Sequence, residues 1–342
     1  MQKTLALVDD PVFCEHVAPA GHPERAERLH AARAAIAHAE LDLRRVDLAT
    51  RSATDDELVR VHAQQYLHTL GQAAGRSGYF DEDTFYSASS VAAARAGAGA
   101  ALVITDALLD ERADFGLALV RPPGHHARAS GAMGFCLLNN VAIAAAHARA
   151  RGVERVAIVD FDVHHGNGTQ EMFYADPSVL YVSLHQSPLY PGTGAVEERG
   201  SGEGRGYTVN VPLSAGATDA VYGAAIERIV APVLETYQPG LLLFSAGFDA
   251  HQRDPLAQMD MTDAGFQTLV RRTLSALAPG VRVGLMLEGG YDLLGLGQSL
   301  SATLEGLSAG PLRETPAERL WDAHERDLAG AAAAATELWK LG

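Results

Sequence analysis

The sequence is short of cysteine and lacks several arrangements that would point to a function. Only two of its 342 residues are cysteines, Cys14 and Cys136, and they lie far apart and form no CxxC pair. A disulfide framework or a thiolate metal site is therefore not expected. A serine hydrolase has little support, since no Gly-x-Ser-x-Gly elbow follows a predicted strand.

Basic residues and long apolar runs are also scarce. Lys and Arg number 27 against 42 Asp and Glu, which gives a net charge of −15. A phosphate-binding surface needs a basic excess, so nucleic acid is not an expected partner. The acidic field suits a cationic substrate, although solubility alone explains it equally well. No uninterrupted run of 18 apolar residues occurs, and the N-terminus turns acidic after a first predicted strand. We therefore expect a soluble, cytoplasmic protein with no membrane partner.

Apolar residues make up 47% of the chain and charged residues 20%, which predicts a large core. Short β-branched runs alternate with alanine-rich helical patterns, as in a mostly parallel sheet covered on both faces. The predicted strands are Phe115–Val120, Arg155–Phe161, Val179–Leu184, Leu241–Ser245 and Val281–Leu287. Helical patterns lie near 23–37, 87–109, 138–150, 218–236, 262–278 and 294–308. The sequence thus predicts one α/β domain over residues 1–342. Residues 315–342 form a predicted helical extension, which packs either on the body of the domain or on another subunit of a homo-oligomer.

Polar clusters follow the ends of the five predicted strands. They occupy residues 121–126, 160–168, 185–194, 246–251 and 288–292. Ligand sites in open α/β sheets form at the carboxyl ends of the strands. We therefore expect these five segments to meet at one edge of the sheet.

The second cluster contains Asp160, Asp162 and His164, which alternate along an extended segment and so face one side. Two carboxylates aimed together raise each other's pKa unless a cation lies between them. Asp249, in Ser-Ala-Gly-Phe-Asp, follows an almost wholly apolar strand. Asp162, His164 and Asp249 offer two oxygens and one nitrogen with a fourth position open, which is typical of a catalytic zinc site. Iron or cobalt would fit the same ligands.

The tandem pair His125 and His126 has matching acceptors in Asp160 and Asn167. An imidazole whose second nitrogen is held by such an acceptor has a fixed tautomer and is a better base. Tyr291 follows Glu288-Gly-Gly, a turn that aims its side chain, and a tyrosine hydroxyl can stabilise a developing oxyanion.

These segments together resemble the histone deacetylase family. The resemblance rests on Arg121-Pro-Pro-Gly-His-His-Ala127, Gly134-Phe-Cys136 with Asn139-Asn140, Asp160-Phe-Asp-Val-His-His-Gly-Asn-Gly-Thr169, Ala246-Gly-Phe-Asp249 and Glu288-Gly-Gly-Tyr291. It runs from about residue 21 to about 308 and is nearest to the class II branch, with its histone deacetylase-like amidohydrolases and acetylpolyamine amidohydrolases. It implies the arginase–deacetylase fold, in which a parallel eight-stranded sheet lies between helices.

The resemblance also implies roles for individual residues. The zinc ligands are Asp162, His164 and Asp249, and the catalytic residues are His125, His126, Asp160, Asn167 and Tyr291, with His126 as the main base. Substrate-binding positions are Phe135, Tyr190, Leu256, Gly134 and Gly289. Arg25 matches an arginine beneath the site that is associated with acetate release. Asp81 and Asp83 are expected on the rim of the site, where they would bind the substrate backbone.

Two structural potassium sites are implied by the same resemblance. The first would use Asp160, Asp162, His164, Ser183 and Leu184, and the second Phe173, Asp176, Val179 and Tyr207. Carbonyl oxygens, which supply most of these ligands, suit such a hard cation.

The implied reaction is zinc-dependent deacetylation of acetyl-lysine in proteins or peptides. The first alternative is an acetylpolyamine or other small-amide hydrolase. Leucine at 256, where polyamine-preferring relatives carry glutamate, favours acetyl-lysine. The second alternative, a two-manganese ureohydrolase, leaves the histidine pair and Tyr291 unexplained. A third is a non-catalytic acyl-lysine binding protein that has kept the fold.

Overall fold

A single parallel sheet forms the centre of the molecule. The computed structural model describes residues 2–39, 41–308, 310–315 and 320–341. The strands are Thr4–Val8 (β1), Arg44–Asp47 (β2), Gly78–Tyr79 (β3), Phe85–Tyr86 (β4), Phe115–Ala118 (β5), Val156–Asp160 (β6), Val179–Gln186 (β7), Thr208–Leu213 (β8), Leu241–Ala246 (β9) and Arg282–Leu287 (β10). Eight of them pair in the order β2-β1-β5-β10-β9-β6-β7-β8, every pair parallel, while β3 and β4 form a separate hairpin. The predicted fold class is confirmed.

Helices cover the sheet. They are Glu27–His38 (α1), Asp55–Leu58 (α2), Gln64–Gln72 (α3), Ser90–Leu109 (α4), Asn140–Ala150 (α5), Asn167–Phe173 (α6), Asp219–Ala225 (α7), Ala231–Tyr237 (α8), Asp263–Ser275 (α9), Leu293–Leu307 (α10) and Asp322–Ala335 (α11). A π-helical turn at Ile226–Val230 joins α7 to α8. The strands of the sheet centre are buried along their whole length, which explains why their sequences are almost continuously apolar.

The five predicted strands and the predicted helical patterns are found, with ends displaced by a few residues. The two edge strands β2 and β8 were not predicted. β2 reads Arg-Arg-Val-Asp and is mostly exposed, so it lacks the apolar signal of a buried strand. β8 contains Asn210 and Pro212, and proline is tolerated there because an edge strand leaves main-chain groups unpaired.

The helix α4 is long and apolar enough to cross a membrane by length and composition. However, 78% of its most apolar window is buried inside the protein. It packs against α5 and β5, and Ala98, Ala100 and Ala101 are fully buried. These contacts identify α4 as a core helix.

The C-terminal helix lies in the predicted extension and packs on the body. Leu328 is buried, and the indole nitrogen of Trp339 donates a hydrogen bond to the carbonyl oxygen of Gly206 at 2.9 Å. Trp321 is 66% exposed and stacks on His324. Residues 316–319 of the predicted helical segment lie outside the described residues. The extension therefore docks on the edge of the sheet at β8.

Candidate active site

The five polar segments follow five neighbouring strands. β5, β10, β9, β6 and β7 are consecutive in the sheet, and each leads at its carboxyl end into one of the segments singled out above. Parallel strands bring these ends to one edge. The topology thus places the candidate residues around a single point at the centre of the sheet.

Asp162, His164 and Asp249 lie together and are buried. One possible ligand atom from each lies within 4.8 Å of the other two. Nδ1 of His164 is 3.2 Å from Oδ1 of Asp162 and 3.1 Å from Oδ2 of Asp249. This donor set, two carboxylates and one imidazole, is that of a catalytic metal site with an open position.

The electrostatics of this cluster favour a bound cation. Burial and the neighbouring Asp162 carboxylate raise the pKa of Asp249 to about 7. Burial opposes protonation of His164, but hydrogen bonds to Asp162 and Asp249 outweigh it and raise the pKa of His164 to about 10. Two buried carboxylates therefore need positive charge beside them, either a proton on His164 or a divalent ion that replaces it.

The main chain comes very close to these ligands at Gly289. Its N–H donates to Oδ2 of Asp162 at 2.7 Å. A Cβ atom at this position would lie 2.2 Å from Oδ2 of Asp249 and 2.6 Å from Oδ2 of Asp162. Only glycine therefore leaves the carboxylates free to converge.

The two histidines are each held by the predicted acceptor. Nδ1 of His125 donates to Oδ2 of Asp160 at 3.0 Å, and the hydroxyl of Tyr181 donates to the same oxygen. Nδ1 of His126 donates to Oδ1 of Asn167 at 2.8 Å. The two imidazole rings are 4.0 Å apart. Because each Nδ1 is engaged, each ring is left with Nε2 for other partners.

The pKa values of these two histidines move in opposite directions. Burial opposes protonation of His125, but the carboxylates of Asp160 and Asp162 outweigh it and raise its pKa to about 10. Burial and the positive charge of His125 hold the pKa of His126 well below its ordinary value. The surroundings therefore favour the charged form of His125 and the neutral form of His126, a division typical of acid–base sites.

A cavity of about 240 Å³ connects the surface with this cluster. Tyr190, in its lining, is 38% exposed, whereas His125 and His164 are buried. The lining residues are Asp83, Pro123, His125, His126, Gly134, Phe135, Cys136, His164, Leu189, Tyr190, Leu256, Gly289 and Tyr291. All five predicted substrate-binding positions are among them, whereas Asp160, Asp162, Asn167 and Asp249 lie behind the wall.

Phe135 forms one wall of the cavity and has an unusual backbone. Its φ is +67°, and its N–H donates to Oγ1 of Thr84 at 3.2 Å. Gly134 has φ +55°, and a Cβ there would lie 2.5 Å from the His126 ring. Tyr190 stands 5.2 Å from His126, ring edge to ring face. Such left-handed residues are strained, and they cluster at functional sites.

Tyr291 lines the cavity, and no described residue bonds its hydroxyl. The guanidinium of Arg28 lies 5.1 Å from its ring, and Nε of Arg28 donates to the carbonyl of Gly290 at 2.7 Å. The prediction that Arg25 lies beneath the site is wrong: Arg25 is exposed, and the arginine buried beside Tyr291 is Arg28. Arg28 faces inward because it lies four residues after Glu24, with which it forms a buried ion pair.

The predicted rim residues are only partly assembled. Asp83 lines the cavity. Asp81 instead accepts hydrogen bonds from the main-chain N–H groups of Asp83 and Thr84, so it holds its own loop. Leu256 also lines the cavity, and Asp254 accepts a hydrogen bond from its N–H at 3.0 Å.

The residues of the two predicted potassium sites lie near one another around β6 and β7. Asp160 and Ser183 are register partners, and both are fully buried. Phe173, Asp176, Val179 and Tyr207 surround the start of β7, where Val179 donates to the carbonyl of Asp176. Each carbonyl keeps a second lone pair beyond such a bond.

The sequence pattern did not identify His62, which holds the histidine loop from outside. His62 is buried; its Nδ1 donates to the carbonyl of Arg128 at 3.1 Å, and its Nε2 accepts from the N–H of Asn139 at 3.0 Å. Burial lowers the pKa of His62 to about 4, despite the hydrogen bond to Arg128. Only the structure shows that this histidine, far away in sequence, supports residues 125–128.

We expect His62→Gln to reduce the acid sensitivity of the fold. The folded pKa of His62 is below its unfolded value of 6.5, so the unfolded state takes up the proton first as the pH falls. From pH 7.5 to pH 5 the wild type should lose about 2 kcal/mol more unfolding free energy than the variant. Urea unfolding at both pH values measures this difference. The exposed His30→Gln is the control, and equal losses in all three proteins would contradict the prediction.

The comparisons with known proteins agree with this geometry. The model of the histone deacetylase domain matches residues 22–307. Histone deacetylase 15 of Arabidopsis thaliana is 42% identical over 315 residues, which cover 90% of this chain and 56% of that protein. The human polyamine deacetylase HDAC10 is 41% identical over 327 residues, 91% of this chain and 47% of that protein. The chain thus spans about half the length of these two relatives.

The solved structure of the HDA15 HD domain matches with a TM-score of 0.90 and 36% identity, over 99% of this chain and 96% of the other. The agreement covers the whole sheet and its helices, which is the arginase–deacetylase fold predicted from the motifs. A third relative, the histone deacetylase-like amidohydrolase of Pseudomonas aeruginosa, is 40% identical over 282 residues, 80% of this chain and 74% of that protein. The chain belongs to the histone deacetylase family.

Proposed function

We propose that the protein is a zinc-dependent deacetylase that hydrolyses the amide of Nε-acetyl-lysine in proteins or peptides and releases acetate. The observation that carries the proposal is the buried Asp162–His164–Asp249 cluster at the inner end of a cavity of about 240 Å³. The histidine pair and Tyr291, whose hydroxyl bonds no residue in the described part of the chain, line the same cavity. Family membership supports the reaction class, and the cavity supports a slender acyl-amide substrate.

The residues fit one zinc ion. Two carboxylates and an imidazole converge within 4.8 Å, and Gly289 leaves space beside them that a Cβ atom would fill. When bound, zinc would polarise the amide carbonyl and make the attacking water more acidic. Asp162, His164 and Asp249 would hold it.

Three side chains beside the metal site carry out proton transfer and stabilise the developing negative charge. His126 is neutral, with Nδ1 donating to Asn167, so its Nε2 accepts a proton from the attacking water and later gives it to the leaving amine. The imidazolium of His125, fixed by Asp160, places positive charge beside the developing negative charge. The Tyr291 hydroxyl donates a hydrogen bond to the carbonyl oxygen as it becomes an oxyanion.

The cavity walls favour an uncharged chain next to the amide. Phe135 and Tyr190 present aromatic rings to the cavity, and Leu256 presents an apolar side chain to it. The methylene chain of acetyl-lysine suits such walls, whereas a polyamine would bring an ammonium group close to them. Acetylpolyamines are the second candidate substrate, because the human relative HDAC10 is a polyamine deacetylase.

We expect Leu256→Glu to shift the substrate preference toward acetylpolyamines. A carboxylate in this lining would attract the ammonium group of acetylputrescine or acetylspermidine. The ratio of kcat/KM for acetylspermidine to that for an acetyl-lysine peptide should rise about tenfold, equivalent to about 1.4 kcal/mol. Steady-state kinetics with both substrates measure the ratio.

Leu256→Gln is the matched control, since it adds similar bulk and polarity without charge. Its ratio should stay close to that of the wild type. An equal rise in both variants would show that polarity and not charge decides the preference. No change in either would show that position 256 does not contact the substrate.

The proposed function is tested by turnover of a fluorogenic acetyl-lysine peptide and of acetylputrescine, each before and after chelation and with zinc restored. Turnover that is lost on chelation and recovered with zinc supports the metal-dependent amidohydrolase. The better substrate decides between acetyl-lysine and acetylpolyamine. If the folded, zinc-loaded protein binds an acetyl-lysine peptide without hydrolysing it, the enzyme proposal fails and the protein is an acyl-lysine binding protein.

We also propose two bound potassium ions. The supporting observations are the buried side chains of Asp160 and Ser183 at the first site and, at the second, the carbonyls of Phe173, Asp176 and Tyr207, which accept main-chain hydrogen bonds beside the start of β7. Carbonyl and carboxylate oxygens are the ligands that such a cation takes. Thermal stability should rise with potassium at constant ionic strength, and equal stability in lithium would reject the sites.

A further inference from the structure

Glu288 is a fully buried carboxylate to which the reaction above assigns nothing. It follows the last residue of β10 and is 0% exposed. Its Oε2 accepts two main-chain hydrogen bonds, from Gly124 at 2.6 Å and from His125 at 3.1 Å. No described residue bonds its Oε1. A buried carboxylate is costly unless it is well bonded, so its place beside the histidine loop needs an explanation.

The segment that begins at Glu288 touches every part of the candidate site. The N–H of Gly289 donates to Asp162, a predicted metal ligand, and Tyr291 is the predicted oxyanion donor. The side chain of Glu288 binds the main chain of His125. One stretch of four residues therefore joins the metal cluster, the histidine pair and the tyrosine.

Hydrogen bonds from several parts of the chain hold residues 288–291. Arg28 donates to the carbonyl of Glu288 and, at 2.7 Å, to the carbonyl of Gly290. The N–H of Tyr291 donates to Oδ2 of Asp254 at 2.6 Å. On the other side, a Cβ at Gly124 would lie 2.5 Å from the main-chain nitrogen of Asn140, so the histidine loop packs closely against the start of α5. The side chain of Glu288 bonds this loop to the segment that it begins.

We propose that Glu288 is a positioning residue that sets the distance between the His125–His126 pair and the Tyr291 hydroxyl, by accepting the N–H groups of Gly124 and His125. This inference rests on the proposed deacetylation. The positioning role requires a hydrogen-bond acceptor at the end of a side chain as long as glutamate. It does not require the negative charge of the carboxylate. A displacement of about 1 Å between reacting groups can cost on the order of 100-fold in rate.

Two substitutions of Glu288 distinguish the effect of its side-chain length from the effect of its negative charge. Glu288→Gln keeps an acceptor oxygen at the same distance and removes the charge, so kcat should stay within about threefold of the wild type. Glu288→Asp keeps the charge and is one carbon shorter, so kcat should fall about 100-fold with KM almost unchanged. The pH profile of kcat/KM should be the same for Glu288→Gln as for the wild type.

The opposite pattern would overturn the proposal. If Glu288→Asp is active while Glu288→Gln is not, or if the pH profile of Glu288→Gln shifts, the charge and not the reach of Glu288 matters. If both retain wild-type kcat, Glu288 positions nothing. Asp219→Ala is the stability control, because Asp219 is a buried carboxylate that accepts the N–H of Thr262 away from the cavity. It should lower the melting temperature and leave kcat unchanged.

A readout without turnover separates this inference from the proposed function. The Nδ1 proton that His125 donates to Asp160 is expected as a low-field NMR signal. It should persist in Glu288→Gln and broaden or move in Glu288→Asp. If the wild type turns over no substrate, the proposed function fails on the assay, while the NMR comparison still tests whether Glu288 positions His125. An unchanged signal in Glu288→Asp would reject the inference on its own.

Discussion

Tyr291→Phe is expected to lower kcat by about 10²–10³, the usual effect of removing one preorganised oxyanion donor. The hydroxyl of Tyr291 lies in the cavity lining and bonds no described residue, so it is available to the substrate. Burial raises the pKa of Tyr291 well above its ordinary value, although Arg28 opposes this, so the hydroxyl keeps its proton. KM should change little, because the hydrogen bond strengthens only as the carbonyl oxygen gains charge.

The measurement is steady-state kinetics on the better of the two substrates, together with zinc content. Tyr237→Phe is the matched control, since Tyr237 is buried and its hydroxyl donates to the carbonyl of Pro177, away from the cavity. It should retain wild-type kcat. Full activity of Tyr291→Phe would remove the oxyanion role, and loss of zinc from that variant would show that Tyr291 supports the metal site.

Most of the candidate site could be predicted because the fold brings particular strand ends together. Polar residues after five buried strands had to meet if those strands were parallel neighbours, and β5, β10, β9, β6 and β7 are neighbours. The spacing of Asp160, Asp162 and His164 predicted one face, and the structure places Asp162 and His164 together with Asp249. These inferences needed only periodicity and the direction of strands.

Other contacts could not be predicted, because they depend on which main-chain atoms become neighbours. The sequence around Glu288 predicts only a turn, yet the bonds of its side chain to Gly124 and His125 span more than 160 residues of sequence. His62 lies outside the motifs, and only the fold places it against Arg128 and Asn139. Such partners leave no periodic trace in the sequence.

The error at Arg25 has a local cause. The pattern Gly-His-Pro-Glu-Arg drew the assignment to the first arginine, whereas the first turn of α1 puts Arg28 on the same side as Glu24. Arg25 points away from the core and is exposed. Helical spacing from the buried Glu24 would have selected Arg28, had the start of the helix been known.

Asp249→Asn is expected to weaken zinc binding by about 10³-fold, since it removes one of three protein ligands that share a binding free energy of roughly 10 kcal/mol or more. Turnover at limiting zinc should be lost with it. In the metal-free protein, by contrast, we expect the substitution to leave the stability of the folded state unchanged or to increase it. Asp249 and Asp162 are buried together, and their repulsion disfavours the folded state once both are ionised. The amide keeps an acceptor for the N–H of Val163, which Asp249 binds at 2.8 Å.

The sign of the stability change follows from the raised pKa of Asp249. Its folded value of about 7 lies above its unfolded value of 3.8, so the metal-free wild type loses stability as the pH rises between them, by at most about 4 kcal/mol. At pH 8 the chelated Asp249→Asn variant should therefore melt at the same temperature as the chelated wild type or higher, while zinc should raise the melting temperature of the wild type and not that of Asp249→Asn. Asp219→Asn, a buried acid outside the cluster, should keep the zinc response of the wild type. Unchanged zinc affinity in Asp249→Asn would show that Asp249 is not a ligand. A clearly lower melting temperature of its metal-free form would show that the buried carboxylates do not repel each other as the geometry requires.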